Sequence, residues 1–226
     1  MVRFALMRLL ITLVCLLVSA CSTPQHQHAP AHGPLVHRFE DPARWARVFD
    51  DPSRDAWQRP DDVIRITVIA PGMTVADLGA GTGYFLGRLA RAVGPSGRVL
   101  ALDVEEKLVG YMRDRAVREG LANVEAKVVP FDDPALPVGG VDRVLIVDTW
   151  HHIPERTAYT TKLARGLAPG GMVLVVDFTP ESEHGPPRHA RVPALDVVAE
   201  LRAGGLEAVV VDEPLPEQYI VVGKRP

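Results

Sequence analysis

VADLGAGTGYF, residues 75–85, decides the fold: a short apolar run breaks into a turn carrying Gly79, Gly81 and Gly83. An apolar run of this length closed by turn residues reads as a strand buried on both faces. Glycine lets the backbone take positive φ and approach a ligand closely, and the helix that follows starts with free N–H groups. The stretch is a strand–turn–helix cradle, and the chain on either side says what the cradle serves.

Downstream the pattern repeats. RVLALD (98–103), VEAKVV (124–129), VDRVLIVD (141–148) and MVLVVDF (172–178) are apolar runs of strand length, separated by helical stretches at 84–93, 105–119 and 155–166. Strands alternating with helices predict a Rossmann-like, doubly wound α/β sheet, mostly parallel. A helix at about 193–203 then leads to LEAVVVDE (206–213) and QYIVVGK (218–224), which bring the strands to seven. The link between those two runs is too short for a helical crossover, so they are expected to pair as a C-terminal antiparallel hairpin. In such a sheet the ligand lies beyond the carboxyl ends of the strands, where strand order reverses, and the glycine turn sits there.

The 226 residues, 47% hydrophobic with a net charge of −3, suit one sizeable α/β domain and exclude a basic face for nucleic acid. Ahead of that domain, Arg3 and Arg8 precede LLITLVCLLV (9–18), followed by Ser19, Ala20 and Cys21. Charged segment, apolar segment and small-residue cleavage site in that order read as an export signal; the apolar run is about half of the roughly 20 residues a spanning helix needs. VSA before Cys21 resembles the lipobox of bacterial lipoproteins, with Val18 where that motif usually has Leu. The resemblance implies an exported chain anchored through a lipid on Cys21 at the bacterial cell envelope, at the outer membrane if the cell is Gram-negative, because Ser22 follows. With Cys15 in the signal and Cys21 lipidated, no thiol remains for disulfide, metal or nucleophile.

The expected organisation is a signal peptide at 1–20, a flexible tether at 21–38, an N-terminal helical layer at 39–62 and the α/β domain at 63–226. His26, His28, His32 and His37 fall in the tether, where a flexible chain fixes no ligand geometry, so they read as linker. The layer, FEDPARWARVFDDPSRDAWQRPDD, sets two tryptophans among many charges and is expected over the ligand mouth or against a sheet edge.

Asp103 ends the second strand, where a carboxylate can accept both hydroxyls of a ribose. Dinucleotide folds favour G-x-G-x-x-G beneath a pyrophosphate. Here the spacing is G-x-G-x-G, with Asp77 two residues ahead, a carboxylate that would repel a pyrophosphate and attract a cationic amino-acid group. Spacing and closing hairpin both argue against a nicotinamide oxidoreductase.

VADLGAGTGYF, the acidic Asp103, VDRVLIVDTWHHI (141–153), LAPGGMVLVVDF (167–178) and the closing hairpin, in that order, resemble class I S-adenosylmethionine-dependent methyltransferases over residues 60–224. The resemblance implies S-adenosylmethionine as cofactor. It places the methionine portion at Asp77 and the turn from Gly79 through Ala80, Gly81, Thr82 and Gly83 to Tyr84, with Asp148 also bordering the site. The ribose falls to Asp103 beside Val104, and the adenine to the Phe131–Asp132 region. In VVPFDDP, Asp132 or Asp133 is the expected acceptor for the adenine amino group, unless the pair is a solvated turn.

A base is required only if the methyl acceptor carries a proton of high pKa. His151 and His152, with Asp148 as orienting carboxylate, are the candidate catalytic residues, although the same text also serves to shape a cofactor pocket. Asp148 and Asp177 stand where catechol-type methyltransferases hold magnesium, but Phe178 replaces the Asn that would complete the set, so no metal is assigned. FTPESEHGPPRHARVP (178–193) is long enough to form a lid or a capping loop. The aromatic N-terminal layer favours a small-molecule or lipid-like acceptor. The alternative to an enzyme is a lipoprotein that binds an adenosyl metabolite without catalysis.

Overall fold

The computed structural model describes residues 41–213 and 215–226; the signal, the tether and Cys21 lie outside the described residues. Three helices come first: α1 (Pro42–Phe49), α2 (Arg54–Gln58) and α3 (Pro60–Thr67). Asp41 caps α1 by accepting the Arg44 N–H at 3.0 Å, and Pro42 follows at the first helical position, where its missing N–H costs nothing. Pro60 opens α3 in the same way, with Asp61 and Asp62 in the positive first turn. The boundary expected after residue 62 therefore falls inside a helix that runs on until Val63 and Thr67 are buried.

The strands are β1 (Thr74–Leu78), β2 (Arg98–Asp103), β3 (Val124–Val128), β4 (Val141–Val147), β5 (Leu167–Phe178), β6 (Glu207–Val211) and β7 (Gln218–Lys224). Between them lie α4 (Leu86–Val93), α5 (Glu106–Arg118), α6 (Arg156–Gly166) and α7 (Ala194–Ala203). One seven-stranded sheet has the order β3-β2-β1-β4-β5-β7-β6. The first five strands pair in parallel, while β7 runs antiparallel between β5 and β6. The expected hairpin is present, and its second strand is the one inserted beside β5. LAPGG (167–171), ahead of the strand expected to begin at Met172, belongs to β5, whose register against β4 slips between the Val141–Leu167 and Arg143–Met172 pairs.

Side chains alternate between two apolar layers, as the two-residue period of a strand requires. Ala76, Val173 and Val175 face α6 and α7, in the layer holding Leu163, Val197 and Leu201. Val75, Leu174 and Val176 face the other way, in the layer holding Val63 of α3, Leu86 and Leu89 of α4 and Met112 of α5. Asp77 also occupies the interior of β1 and is only 3% exposed, a carboxylate set among apolar residues. Strand order reverses between β1 and β4, so a crevice opens at their carboxyl ends.

Candidate active site

A cavity of about 830 Å³ occupies that crevice, within the size range of small-ligand pockets. Its floor is the glycine turn. The N–H groups of Gly79 and Ala80 donate to the Leu102 carbonyl at 2.8 and 3.1 Å, and the Gly83 N–H closes the turn on the Ala80 carbonyl at 2.8 Å. Gly79 has φ +72°, and a Cβ there would collide with the Thr149 side chain; both facts require glycine.

Asp103 ties the end of β2 to this turn. Its Oδ2 accepts the Gly81 N–H at 2.8 Å and its Oδ1 the Glu105 N–H at 3.0 Å, the Val104 N–H also turns to the carboxylate, and acceptor capacity still remains for a ligand. Burial pushes the Asp103 carboxyl above its ordinary range. Asp77 also lines the cavity, and among the described residues no donor hydrogen-bonds its carboxylate. Burial, with the neighbouring Asp103 charge adding to it and Arg54 opposing it, raises Asp77 to about 7. A buried carboxylate without a donor, facing a cavity, is prepared for a cation from outside the chain.

The N-terminal layer roofs the cavity, with Trp45, Phe49 and Trp57 in its wall. A closed ring of hydrogen bonds fixes α2 over the sheet. Arg54 donates to Gln58 Oε1 (Nη2 at 2.9 Å, Nε at 3.2 Å) and, through Nη2 at 2.9 Å, to Asp148 Oδ2. Gln58 donates to Gln218, and Gln218 donates to the other Asp148 oxygen. The guanidinium also lies 4.1 Å from the centre of the Tyr84 ring, a cation–π contact, while the Tyr84 hydroxyl donates to Asp55. Asp50, just after α1, accepts from Thr82 Oγ1 at 2.9 Å and pairs with Arg115 of α5 at 2.8 Å. Both ends of the roof are thus bonded to the glycine turn beneath.

Burial raises Asp148 to about 6 despite the opposing Arg54 charge. Replacing Arg54 with Met keeps the alkyl bulk and removes that charge. The expected results are a loss of about 2–4 kcal/mol in a chemical denaturation curve, from stranding a buried carboxylate, and faster proteolytic cutting between α1 and α3.

At the acceptor side, Asp177 at the end of β5 accepts from His151 Nδ1 at 2.9 Å, from the His151 backbone N–H at 3.1 Å and from the Phe178 N–H at 2.8 Å. The carboxylate that orients His151 is therefore Asp177, and the expectation of Asp148 in that role is corrected. Asp148 has φ +55°, which turns its side chain to Arg54 and Gln218. Trp57 stacks on His184 (centroids 4.8 Å apart, planes 16°) and lies 5.9 Å from Phe178, so α2 and the 178–193 loop share a wall. Arg191 folds that loop by donating to the carbonyls of Thr179, Pro180, Ser182, His184 and Pro186 at 2.8–3.1 Å.

Of the residues singled out from sequence, Asp77, Asp103, Val104 and Phe131 line the cavity together with residues 79–82 of the turn, as do Asp148, His151 and His152. Gly83, Tyr84 and Asp132 do not. Gly83 packs toward Leu86, and the Tyr84 hydroxyl is turned to Asp55. Asp132 is drawn out toward Lys162, whose Nζ contacts its backbone carbonyl at 2.6 Å and whose charge also holds Asp133 at 3.4 Å. The DDP text is a turn that exposes Asp132, close enough for the Asp132 and Asp133 charges to act on Tyr159, which lines the cavity. Trp57 belongs to the aromatic layer expected over the ligand mouth, whereas Arg54, Gln58, Gln218 and Tyr159 are not picked out by the sequence. The four-residue spacing of Arg54 and Gln58 signalled a shared helix face, but no local signal joined them to Gln218.

The family described as methyltransferase domain matches residues 69–203. The chain belongs to that family. A crystal structure of a SAM-dependent methyltransferase from Aquifex aeolicus superposes with a TM-score of 0.76 at 30% identity, covering 82% of this chain and 99% of that one. Among curated relatives, the ubiquinone/menaquinone biosynthesis C-methyltransferase of Hydrogenovibrio crunogenus is 32% identical over 124 residues, 54% of this chain and 48% of that protein. Its counterpart from Bordetella parapertussis is 32% identical over 115 residues, 49% of this chain and 43% of its own. The match thus spans about half the length of these curated relatives. The methyltransferase cofactor is S-adenosylmethionine, and the residues present fit it: a donorless buried carboxylate for its amino-acid cation, free acceptor capacity on Asp103 for a ribose, and a turn that only glycine can form.

Proposed function

We propose that this methyltransferase acts on a small, apolar acceptor bound between the N-terminal roof and the 178–193 loop. The carrying observation is that one cavity joins two unlike halves. That cavity is lined by Asp77, Asp103 and the glycine turn and also by an aromatic group in which Phe178 lies 5.9 Å from Trp57 and 6.4 Å from His151. The cofactor supplies an electrophilic methyl group. The chain's own residues bind and orient: Asp77 holds the amino-acid cation, Asp103 the ribose, and the aromatic roof excludes water and aligns the acceptor. The names of the curated relatives support an apolar, quinone-like acceptor.

Calorimetry tests the reading: the full chain is expected to bind both S-adenosylmethionine and its demethylated product, and to transfer labelled methyl to an apolar extract of the cell envelope. Absence of binding removes the proposal. Binding without transfer to any fraction favours the non-catalytic binding lipoprotein. For location we infer a lipid anchor at Cys21, supported by the signal-like text from Arg3 to Ser22. Labelled palmitate is expected to enter the wild type and to be absent from Cys21→Ser; label retained in the variant rules the anchor out.

A further inference from the structure

We propose that His151 is the general base of this site, that Asp177 is its positioning residue, and that the acceptor presents a weakly acidic hydroxyl on a flat, conjugated ring. The proposal rests on the methyltransferase reading above.

Three N–H groups converge on Asp177, two from the backbone and one from His151 Nδ1, so the carboxylate cannot turn away. A carboxylate held there keeps the proton of neutral imidazole on Nδ1 and leaves the lone pair on Nε2. His151 is 8% exposed and lines the cavity, and among the described residues no partner hydrogen-bonds Nε2. A buried imidazole with a fixed tautomer and a free lone pair facing an enclosed space is arranged to take a proton.

The acceptor's chemistry follows from what needs such a base. A neutral amine attacks with a lone pair it already has and sheds its proton afterwards. A phenol or enol, with a pKa of about 10, is anionic in only about one molecule in a thousand at neutral pH, so a base adds most there. The walls agree: Trp57, stacked on His184, stands 5.9 Å from Phe178, which in turn lies 6.4 Å from the His151 ring, and these aromatic faces suit a flat ring. The ionisable groups facing His151 are Asp177 from β5, Asp148 after β4, His152 at 4.2 Å between ring centres, and His184 and Arg54 across the cavity.

In the step, the hydroxyl proton passes to Nε2. The electron pair it leaves, on oxygen or on the ring carbon conjugated to it, forms the bond to the methyl carbon. The carbon–sulfur bond breaks with its pair on sulfur, the positive charge moves from sulfonium to imidazolium, and the imidazolium returns its proton to water; a ring carbon that took the methyl then loses its own hydrogen as a proton. The product shows whether oxygen or carbon was methylated.

The test uses 4-nitrophenol, whose anion is coloured, titrated into the full chain in the presence of S-adenosylhomocysteine. The bound probe is expected to be ionised about tenfold more readily than the free probe. That gain is expected to vanish in His151→Gln, which keeps a donor toward Asp177 and hence the fold, and to shrink in Asp177→Asn with a displaced pH midpoint. S-adenosylmethionine affinity is expected to stay within twofold in both variants. A probe that does not bind, or that ionises equally well in His151→Gln, overturns the proposal. Failure of the wild type to bind S-adenosylmethionine instead overturns the underlying methyltransferase reading.

Discussion

Asp77→Asn will weaken S-adenosylmethionine binding by about one to two orders of magnitude while making the empty protein more stable above pH 7. The affinity loss follows from removing the charge that meets the ligand's ammonium group, an interaction worth about 1.5–3 kcal/mol. The stability gain follows from burial. Asp77 titrates near 7 in the fold because it lies in the apolar interior, beside Asp103, with only Arg54 opposing. In the unfolded chain it titrates near 4. A carboxyl whose folded pKa is raised contributes its stability at low pH and loses it as pH climbs to the folded value. Wild-type stability is therefore expected to fall between about pH 4 and 7, by at most about 4 kcal/mol from this residue. Asp148, raised to about 6, adds a smaller fall in the same direction. Asn carries no charge to bury, so the variant loses the Asp77 part and keeps the parts from Asp148 and Asp103, both also raised by burial. Thermal melts at pH 4 and pH 8 check it: the variant and wild type should lie close together at pH 4 and be fully separated at pH 8. A variant less stable than wild type at pH 8 would show that Asp77 has a partner in the empty fold.

Gly79→Ala is expected to abolish measurable cofactor binding and to cost about 2–4 kcal/mol of stability. Two causes act together. The backbone at Gly79 sits at φ +72°, which a residue with a Cβ adopts at a cost of about 1–2 kcal/mol. The added methyl also meets Thr149, which follows β4 and forms the opposite lip of the crevice. Thr149 cannot simply rotate away, because its hydroxyl donates to the Val147 carbonyl at 2.8 Å. The turn must shift, and with it the Gly81 N–H that orients Asp103. Gly170, by contrast, has φ +72° with nothing near its Cβ position. Gly170→Ala therefore carries the backbone strain without the collision, and in a denaturation curve it should cost only the smaller part while leaving binding intact.

The contrast between those two glycines also explains what was legible in the amino-acid sequence. Strands, turn and hairpin were readable because each is specified locally: a run such as VLALD can only be a buried strand in this context, and a four-residue link permits only a hairpin. Asp77 and Asp103 were readable because they end or interrupt those strands at fixed places. The partner of His151 was misread because proximity along the chain was taken for proximity in space. Asp148 is three residues away, yet its positive φ turns it to Arg54, while Asp177, 26 residues away, is brought alongside by the pairing of β5 with β4. Asp132 was misplaced because Lys162, one helix later, draws the turn outward. The ring of Arg54, Gln58, Gln218 and Asp148 joins residues up to 164 positions apart along the chain, and such pairings become visible only after the sheet has formed.

The central claim is that a buried, donorless Asp77 waits for the cation of S-adenosylmethionine. Calorimetric titration of the full chain with S-adenosylmethionine, repeated in buffers of different ionisation enthalpy and across pH 5.5–8.5, examines it most directly. Below about pH 7 binding must expel the Asp77 proton, so affinity should climb with pH, level off above 7, and be accompanied by proton release that disappears in Asp77→Asn. An affinity independent of pH, with no proton released, would contradict it.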